Sequence, residues 1–201
     1  MKNSIVNNIK QQIISKGRAK FWFVDDFVAI GNNDSVRKAL QQLIKEQMLL
    51  RICHGVYYYP KIDRELGLGV LMPSKESTAL AVAKHAGQKI VPTGAFALNA
   101  LGLTTQMQIV VAFLTNGRAR QIDLGNGRYI KFFHSSSQRL FEYKSYRMIL
   151  IIQAMTELGE NCMTDDVLSK LKEQLLLVSE RDFIHDVKLD PIWAQTILKE
   201  L

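Results

Sequence analysis

The chain has little of what marks secreted, membrane-spanning or metal-binding proteins. Its 201 residues include two cysteines, Cys53 and Cys162, which form no CxxC pair. Isolated cysteines are typical of a reducing compartment, and we expect both to be packing residues rather than metal ligands. Even the apolar stretch MILIIQAM is far shorter than the roughly 18 residues that a membrane-spanning helix needs. The start, MKNSIVNNIKQQ, is too polar for a signal peptide, so we expect a cytoplasmic protein without a membrane partner.

The sequence also lacks the motifs of common enzyme classes. It has no GxxxxGK[ST] loop, no strand-to-helix GxGxxG and no HExxH pair, and its four histidines are widely spaced. Asp25-Asp26 and Asp165-Asp166 stand at predicted helix starts, where carboxylates stabilise the helix dipole. We therefore predict that the protein is not an enzyme and that it holds no cofactor and no metal.

One weaker pattern leaves an enzyme open as the alternative. Asp123 on one predicted strand and Lys131 on the next resemble the acid and the lysine of metal-dependent nucleases. Tyr129 stands where the second acid would be, and a tyrosine in that place cannot complete the metal site. The alternative hypothesis is therefore a nuclease or other enzyme, targeted to DNA, with a degenerate metal site around Asp123 and Lys131.

Basic residues are abundant but unevenly distributed. Residues 1–60 carry nine basic and four acidic residues, a net charge of +5, and residues 61–150 carry twelve and five, a net charge of +7. Residues 151–201 carry five and ten, a net charge of −5. A basic body with an acidic end indicates a polyanion partner for the body and a different partner for the end, although the end also fits a plain solvated surface.

The first sixty residues alternate helical and extended patterns. They predict a helix, a short strand, a brief helix, a longer helix and a two-stranded hairpin, in that order. The hairpin, LLRICHGVYYY, has His54-Gly55 as its two-residue loop, and Asn32 and Asn33 are good caps for the helix before it. This order is typical of a winged helix-turn-helix DNA-binding domain, which we predict for residues 1–60.

The longer helix places its polar residues opposite a buried stripe of Val36, Ala39, Leu40 and Leu43. Arginine and glutamine can make paired hydrogen bonds with base edges, while lysine and serine bind phosphates. A plain solvated face and a winged helix that docks a protein are the alternatives. We expect double-stranded DNA to be contacted by Asn33, Ser35, Arg37, Lys38, Gln41, Gln42 and Lys45 on the helix and by Arg51 and His54 on the hairpin.

The rest of the chain predicts a connector and a second domain. Residues 61–73 follow Pro60 and end with Pro73, and they indicate a linker to a domain of residues 74–201. Alternating segments separated by Asn116-Gly117 and GNG predict a three-stranded antiparallel meander over about 108–134, followed by a helical end over 143–201. The predicted class is thus α+β: a winged helix-turn-helix domain, then an α/β domain with a small meander and a helical end. A second basic patch near the meander turns, which could contact DNA, comprises Arg118, Arg120, Arg128 and Lys131.

Two long segments resemble a known family. They are DFVAIGNNDSVRKALQQLIKEQMLLRICHGVYYYP and MPSKESTALAVAKHAGQKIVPTGAFALNALGLTTQ, and both are similar to antitoxins of the AbiEi type from type IV toxin–antitoxin systems. The second segment, with its P-[ST]-G-A…A-x-N-x-LGL run, is the more specific, and the resemblance extends over roughly residues 1–135. Of that run we interpret Thr93, Gly94, Asn99 and Gly102 as fold determinants, the glycines for turns and Asn99 for a bond to nearby backbone.

The resemblance implies a bacterial protein with two tasks, of the kind found in phage defence. The winged helix would bind repeats in its own promoter and repress the operon. The second domain would counter a nucleotidyltransferase-like toxin from the adjacent gene, without needing a stable complex with it. The chain lacks the G-S and D-x-D pattern of a nucleotidyltransferase, which fits the antitoxin rather than the toxin.

Overall fold

A computed structural model describes residues 2–106 and 110–201. Side chains are described from Ile5 onward within these ranges. The fold is mixed α+β, as predicted, with 50% helix and 19% strand. The chain divides into two compact units, Met1–Val82 with Asp123–Gly127, and Ala83–Ile122 with Arg128–Leu201. Among the described residues, every helix is too short or too polar to cross a bilayer.

The elements predicted for the first sixty residues are all present, although one is smaller than expected. The segment predicted as a brief second helix is a single 3-10 turn, Val24–Phe27, in which only Phe27 is buried. Val28, which follows this turn, is 65% exposed, so the segment has too little apolar face to extend the helix. The first unit contains α1 (Lys2–Lys16), β1 (Lys20–Phe23), α2 (Asn33–Lys45), β2 (Leu50–Cys53), β3 (Val56–Tyr59), β4 (Lys61–Asp63), β5 (Gly69–Leu71) and most of α3 (Lys75–His85).

The core of the first unit lies between α1, α2 and a three-stranded sheet in the order β1-β3-β2. Ile9 and Ile13 of α1 are fully buried, as is Leu40 of α2. Trp22 of β1 stacks on Phe27 with ring centroids 5.3 Å apart. All four residues of β3, the central strand of this sheet, are buried. Residues 61–73, predicted as a connector, contain the antiparallel pair β4–β5.

The second unit combines a small sheet with a cluster of helices. Its sheet has the order β6-β7-β9-β8, and its largest core joins α4 and α5 to α6 and α8. The elements are β6 (Ile90–Pro92), α4 (Gly94–Ala100), β7 (Val110–Thr115), β8 (Arg120–Asp123), β9 (Tyr129–His134), α5 (Tyr146–Leu158), α6 (Asp165–Leu175), α7 (Glu180–Asp186) and α8 (Ile192–Glu200). The helical end is thus present as predicted, whereas β6 is an unpredicted strand.

The predicted antiparallel meander over 108–134 is wrong in its topology. Its strands exist in the described part, with residues 108 and 109 lying outside it, but β7 pairs with β9 and the two run parallel. Strand β8 lies at the edge of the sheet, next to β9. Strand β9 lies between β7 and β8 in the sheet, so the connection from β7 to β8 passes the end of β9.

Two local interactions explain why Asn116-Gly117 makes no hairpin. The Asn116 side-chain oxygen accepts a hydrogen bond from the backbone N–H of Lys89 (2.9 Å), which ties the turn to the residue before β6. The Gly117 N–H donates to the Thr115 hydroxyl (3.0 Å). Buried Phe113 of β7 lies against Phe132 of β9 with ring centroids 6.2 Å apart. This pairing places β9, which is more apolar than β8, in the centre of the sheet.

The P-T-G-A run has a structural role at the start of α4. The Thr93 hydroxyl donates to the Ala112 carbonyl (3.1 Å), 19 residues along the chain. The Asn99 amide donates to the Gln106 carbonyl (3.0 Å), which is the bond to nearby backbone predicted for it. Gly102 has the positive φ of 68° that a turn requires. Gly94 differs from the prediction: it is buried where α4 meets α5, and a Cβ there would lie 2.9 Å from the Gln153 carbonyl oxygen. Close packing, not turn geometry, explains this glycine.

The two cysteines have different environments. Cys53 is half-buried at the end of β2, whereas Cys162 is exposed. The expectation that both are packing residues is therefore wrong for Cys162, which lies in a short 3-10 turn between α5 and α6.

Candidate nucleic-acid interface

Helix α2 is fixed in place by its cap and its apolar stripe. The Asn32 side-chain oxygen accepts a hydrogen bond from the Ser35 backbone N–H (2.9 Å), which satisfies one of the free donors at the helix start. Asp34 adds a carboxylate to the first turn. The residues predicted to be inward are buried, namely Val36, Ala39, Leu40 and Leu43. The opposite side of α2 therefore faces solvent.

The exposed side of α2 carries four polar side chains, which we call the α2 face: Arg37, Lys38, Gln41 and Lys45. All four are exposed, and none makes a hydrogen bond or ion pair within the described part of the chain. Three of them are cationic, and one acid lies beside them at each end of the helix, Asp34 in the first turn and Glu46 after Lys45. Asn33 is also exposed, in the first turn. Side chains without intramolecular partners can bind a ligand without first breaking a bond.

Two other predicted contacts lie on the flank of α2 that faces α1. Ser35 is half-buried, and Gln42 donates to the Glu46 carboxylate (3.0 Å). Glu46 in turn lies 3.5 Å from the ammonium of Lys10 on α1. A shallow groove between the two helices is lined by Ile5, Val6, Ser35, Lys38, Ala39 and Gln42. Ser35 and Gln42 therefore lie in this groove beside Lys38 of the α2 face.

The β2–β3 hairpin presents the other predicted contacts. Its loop turns at Gly55, whose φ of 74° suits glycine. Arg51 and His54 are both exposed at this end, with the Arg51 Nη2 atom 3.3 Å from His54 Nδ1. A register shift between Arg51 and Cys53 marks an irregularity in β2 next to the tip. The hairpin thus carries one guanidinium and one imidazole at its free end.

The second basic patch is less uniform than the α2 face. Arg118 and Arg128 are exposed and Lys131 is half-buried on β9, but Arg120 is engaged within the fold. The Arg120 guanidinium donates to the Gln88 side-chain oxygen (3.2 Å) and lies 5.2 Å from the centroid of the Phe132 ring. Arg128 also has an intramolecular partner. Arg118 is consequently the member of the patch that is most open to a ligand.

The residues of the nuclease alternative have local structural surroundings. The Asp123 carboxylate accepts a hydrogen bond from the Gly125 N–H (2.7 Å), as in a turn closed by an aspartate. Lys131 lies opposite Ala112 in the parallel pair of β7 and β9. In the described ranges, no three histidine, cysteine, aspartate or glutamate side chains are grouped as a metal site would require. This placement adds no support to the nuclease hypothesis.

A buried acidic cluster in the helical end was not predicted from the residue pattern. Asp186 is fully buried, and its carboxylate accepts hydrogen bonds from the backbone N–H groups of Lys144 (2.9 Å) and Ser145 (2.8 Å). Asp190 is 1% exposed and accepts a hydrogen bond from the Tyr143 hydroxyl (2.5 Å). The only available signal was the spacing of Asp186 and Asp190 in HDVKLDP, just before a predicted helix start. The same spacing is equally typical of acids that face solvent.

Burial dominates the electrostatics of this cluster. Burial, with a smaller contribution from nearby Asp186, raises the pKa of Asp190 to about 7, although the hydrogen bond from Tyr143 and the charge of Arg139 act to lower it. Burial and the bond to Asp190 also raise the pKa of Tyr143 well above its ordinary value. The cluster joins the start of α5 to the turn before α8, so we interpret it as structural.

Comparison with known proteins identifies a family but no activity. No curated protein and no solved structure matches the chain. A family model matches residues 8–183, which include α2, the β2–β3 hairpin and most of the second unit. The match ends before Asp186 and Asp190. The chain therefore belongs to DUF6088, a family of unknown function.

Proposed function

We propose that this protein is a sequence-specific DNA-binding repressor of its own promoter and an antitoxin against a nucleotidyltransferase-like toxin from the adjacent gene. In this proposal the first unit acts as a winged helix-turn-helix domain. Helix α2 enters the major groove, and the β2–β3 hairpin is the wing. The second unit counters the toxin, as the resemblance to AbiEi antitoxins implies.

The observation that carries the DNA-binding proposal is the α2 face. Arginine and glutamine are the side chains that make paired hydrogen bonds to guanine and adenine, and Arg37 and Gln41 present them one helical turn apart. Lys38 and Lys45 on the same side provide charge for phosphates. Because the α2 face has no intramolecular partners in the described structure, binding DNA would not break existing bonds.

The hairpin supports the same orientation. Arg51 and His54 are exposed at its free end, where a wing meets the phosphates beside the groove. The buried central strand β3 connects this end to the core that also holds α2. The helix and the hairpin tip therefore belong to one compact unit, which favours simultaneous contact with DNA.

The antitoxin half of the proposal is supported by the character of the helical end. This end is acidic, so DNA is an unfavourable partner for it. It also exposes large apolar side chains, a feature of surfaces that bind proteins. They are Leu176, Leu177, Ile184 and Ile192, which are 79%, 66%, 50% and 83% exposed.

The first test is a fluorescence-anisotropy titration of the full chain with duplex DNA from directly upstream of the gene. A scrambled duplex of the same composition is the control, at two salt concentrations. We expect the native duplex to bind more tightly, with the preference surviving the higher salt, because base contacts depend less on salt than phosphate contacts do. Equal and salt-sensitive binding to both duplexes would contradict sequence-specific repression.

A growth assay tests the antitoxin task separately. Expression of the adjacent gene should arrest growth, and co-expression of this chain from an unrelated promoter should restore it. A Lys38→Ala/Lys45→Ala variant should restore growth as well as the natural chain, because neutralisation is assigned to the second unit. Failure of the natural chain to restore growth would reject the antitoxin task and leave the repressor task standing.

A further inference from the structure

One side of strand β9 is only partly covered by the rest of the second unit. Successive residues of a strand point to opposite sides of a sheet, so Tyr129, Lys131 and Phe133 share one side and Ile130 and Phe132 share the other. Ile130 and Phe132 are 0% and 1% exposed, whereas Phe133 is 49% exposed and Tyr129 and Lys131 are half-buried. We call Tyr129, Lys131 and Phe133 the β9 face. It presents two aromatic rings with a lysine between them.

The strands on both sides of β9 leave room above this face. Ala112 of β7 lies opposite Lys131 in the parallel pair, and its methyl group covers little of the lysine. Strand β8 lies next to β9 on the other side. The Arg120 guanidinium is 5.2 Å from the centroid of the Phe132 ring, so Arg120 points to the buried side and the next residue, Gln121, points to the side of the β9 face. Gln121 is exposed, and its amide can both donate and accept hydrogen bonds.

The β9 face is closed toward β7. Leu114 of β7 lies opposite Phe133, and it is half-buried against a cluster of Val91, Phe141 and Ile149. The open part of the surface is therefore a strip formed by β9 and β8. This strip alternates rings with a cation and an amide, unlike the contiguous apolar patch that is typical of a protein interface.

The charge of this part of the chain favours an anionic ligand. Residues 110–134 carry four basic residues and one acid, a net charge of 4 − 1 = +3. The acid, Asp123, ends β8, and its carboxylate accepts a hydrogen bond from the Gly125 N–H (2.7 Å). Lys131 and Arg118 make no hydrogen bond or ion pair with any residue that the structure describes. Both can therefore bind a phosphate without first breaking a bond.

Rings and a cation on a sheet surface suit nucleic-acid bases that are unpaired. A base can stack on a side chain only when one of its flat faces is free, and neighbouring bases cover these faces inside a duplex. Tyr129 and Phe133 stand four residues apart, or about 13 Å along the strand, so Lys131 can reach a phosphate between two stacked bases. We propose that the β9 face binds single-stranded nucleic acid, with bases stacked on Tyr129 and Phe133, a phosphate on Lys131 and a base edge at Gln121.

This binding site is separate from the one assigned to duplex DNA. The β9 face and Gln121 belong to the second unit, whereas the α2 face belongs to the first. The two sites also require different ligands, because α2 reads base edges in the groove of a duplex and the β9 face needs free base faces. An unpaired base on a sugar-phosphate chain is common to RNA and DNA, so the experiment compares both.

Fluorescence anisotropy of the full chain with labelled oligouridine and oligothymidine tests the proposal. A strand of a single pyrimidine cannot pair with itself, so both probes stay single-stranded. We expect binding, and the tighter probe identifies RNA or DNA as the ligand. Phe133→Leu keeps an apolar side chain but removes the ring, so it should weaken binding roughly tenfold or more, whereas Phe133→Tyr should bind like the natural chain. Lys131→Ala should flatten the salt slope by about 0.7, the value of one phosphate contact on a single strand.

Two matched variants serve as controls. Tyr146→Leu removes a ring that is 38% exposed at the start of α5, and Lys199→Ala removes an exposed lysine from α8. Both should bind the probes like the natural chain. Circular dichroism and thermal unfolding should show the same fold for Phe133→Leu and Phe133→Tyr, because the side chain at this position is half exposed.

Three results would overturn the proposal. They are a natural chain that binds neither probe, equal affinity of Phe133→Leu and Phe133→Tyr, and loss of probe binding in Lys38→Ala/Lys45→Ala while Phe133→Leu still binds, which would assign the single strand to α2. Phe133→Leu should keep the preference for the native duplex over the scrambled one. A natural chain without that preference would reject the proposed repressor and leave the β9 face standing, so the two proposals fail in different experiments.

Discussion

The Tyr143 hydroxyl donates a hydrogen bond to Asp190 over 2.5 Å and so connects two segments that lie 47 residues apart in the chain. The other oxygen of the Asp190 carboxylate is buried and has no hydrogen-bond partner among the described residues. A buried carboxylate with an unpaired oxygen is more stable when protonated. The pKa of Asp190 is accordingly raised to about 7.

This raised pKa predicts a pH-dependent loss of stability. The folded chain binds a proton at Asp190 more tightly than the unfolded chain, so the free energy of unfolding falls as the pH rises from about 4 to about 7. Asp190→Asn keeps an acceptor for Tyr143 and cannot ionise, so it should remove this dependence and be the more stable form at pH 8. Urea unfolding of both chains at several pH values measures the difference.

A matched control for Asp190→Asn is Glu173→Gln, which changes an exposed acid in α6. It should leave the pH profile of stability unchanged. Parallel profiles for the natural chain and Asp190→Asn would show that Asp190 does not titrate differently in the folded state.

The close packing of Gly94 predicts a substitution cost in the second unit. In Gly94→Ala the new methyl group would lie 2.5 Å from the Glu157 Cβ and 2.9 Å from the Gln153 carbonyl oxygen, so α4 and α5 must move apart. Forcing a methyl group into a packed contact costs about 1–3 kcal/mol, and we expect that loss in the free energy of unfolding. Ala95→Ser, one residue later and exposed, should change it by less than about 0.5 kcal/mol. Equal stability of the two variants would contradict the packing explanation.

The α2 face predicts which substitutions alter DNA specificity. Arg37→Ala or Gln41→Ala should each weaken binding to the native duplex by about 1–3 kcal/mol and reduce the preference over a scrambled duplex. Competition titrations with both duplexes measure this directly. Arg181→Ala and Gln11→Ala remove the same side-chain types from exposed positions on α7 and α1, so they should bind like the natural chain. If the Arg37 and Gln41 variants also bind like the natural chain, α2 does not read the bases.

The lysines of α2 and the second basic patch differ in their expected effect on salt dependence. Each phosphate contact contributes roughly 0.9 to the slope of log affinity against log salt, so Lys38→Ala/Lys45→Ala should flatten the slope by about 1.8. If the second patch also contacts DNA, Arg118→Ala/Arg128→Ala should flatten it by a similar amount. An unchanged slope in the Arg118→Ala/Arg128→Ala variant would indicate that the second basic patch binds a protein or RNA instead.

Arg120→Ala should behave differently from both pairs. Its guanidinium is engaged by Gln88 and Phe132, so the substitution should lower the stability of the chain without changing the salt slope. The expected loss is about 1–3 kcal/mol, because Gln88 loses its partner and the ring loses its cation. Thermal unfolding alongside the titrations separates the two effects, and a flattened slope with unchanged stability would show that Arg120 contacts DNA after all.

Local patterns in the sequence were sufficient for most elements of the first sixty residues and for much of the candidate interface, although they missed the β4–β5 pair of the same unit. The cap at Asn32, the buried stripe from Val36 to Leu43 and the glycine at position 55 each depend on residues only a few positions apart. Such short-range relationships can be derived from the order of the residues, because a helix and a tight hairpin impose fixed periods. The exposure of Arg37, Lys38, Gln41 and Lys45 follows from the same periodicity.

Only the tertiary structure decided the features that depend on distant partners. The parallel pairing of β7 with β9, the engagement of Arg120 and the burial of Asp186 and Asp190 all join segments that are far apart in the chain. A period-2 pattern states that a strand has one buried side but does not state which strand lies next to it. For the same reason the open side of β9 could not be recognised, since alternation alone does not distinguish a face that meets the core from one that meets water.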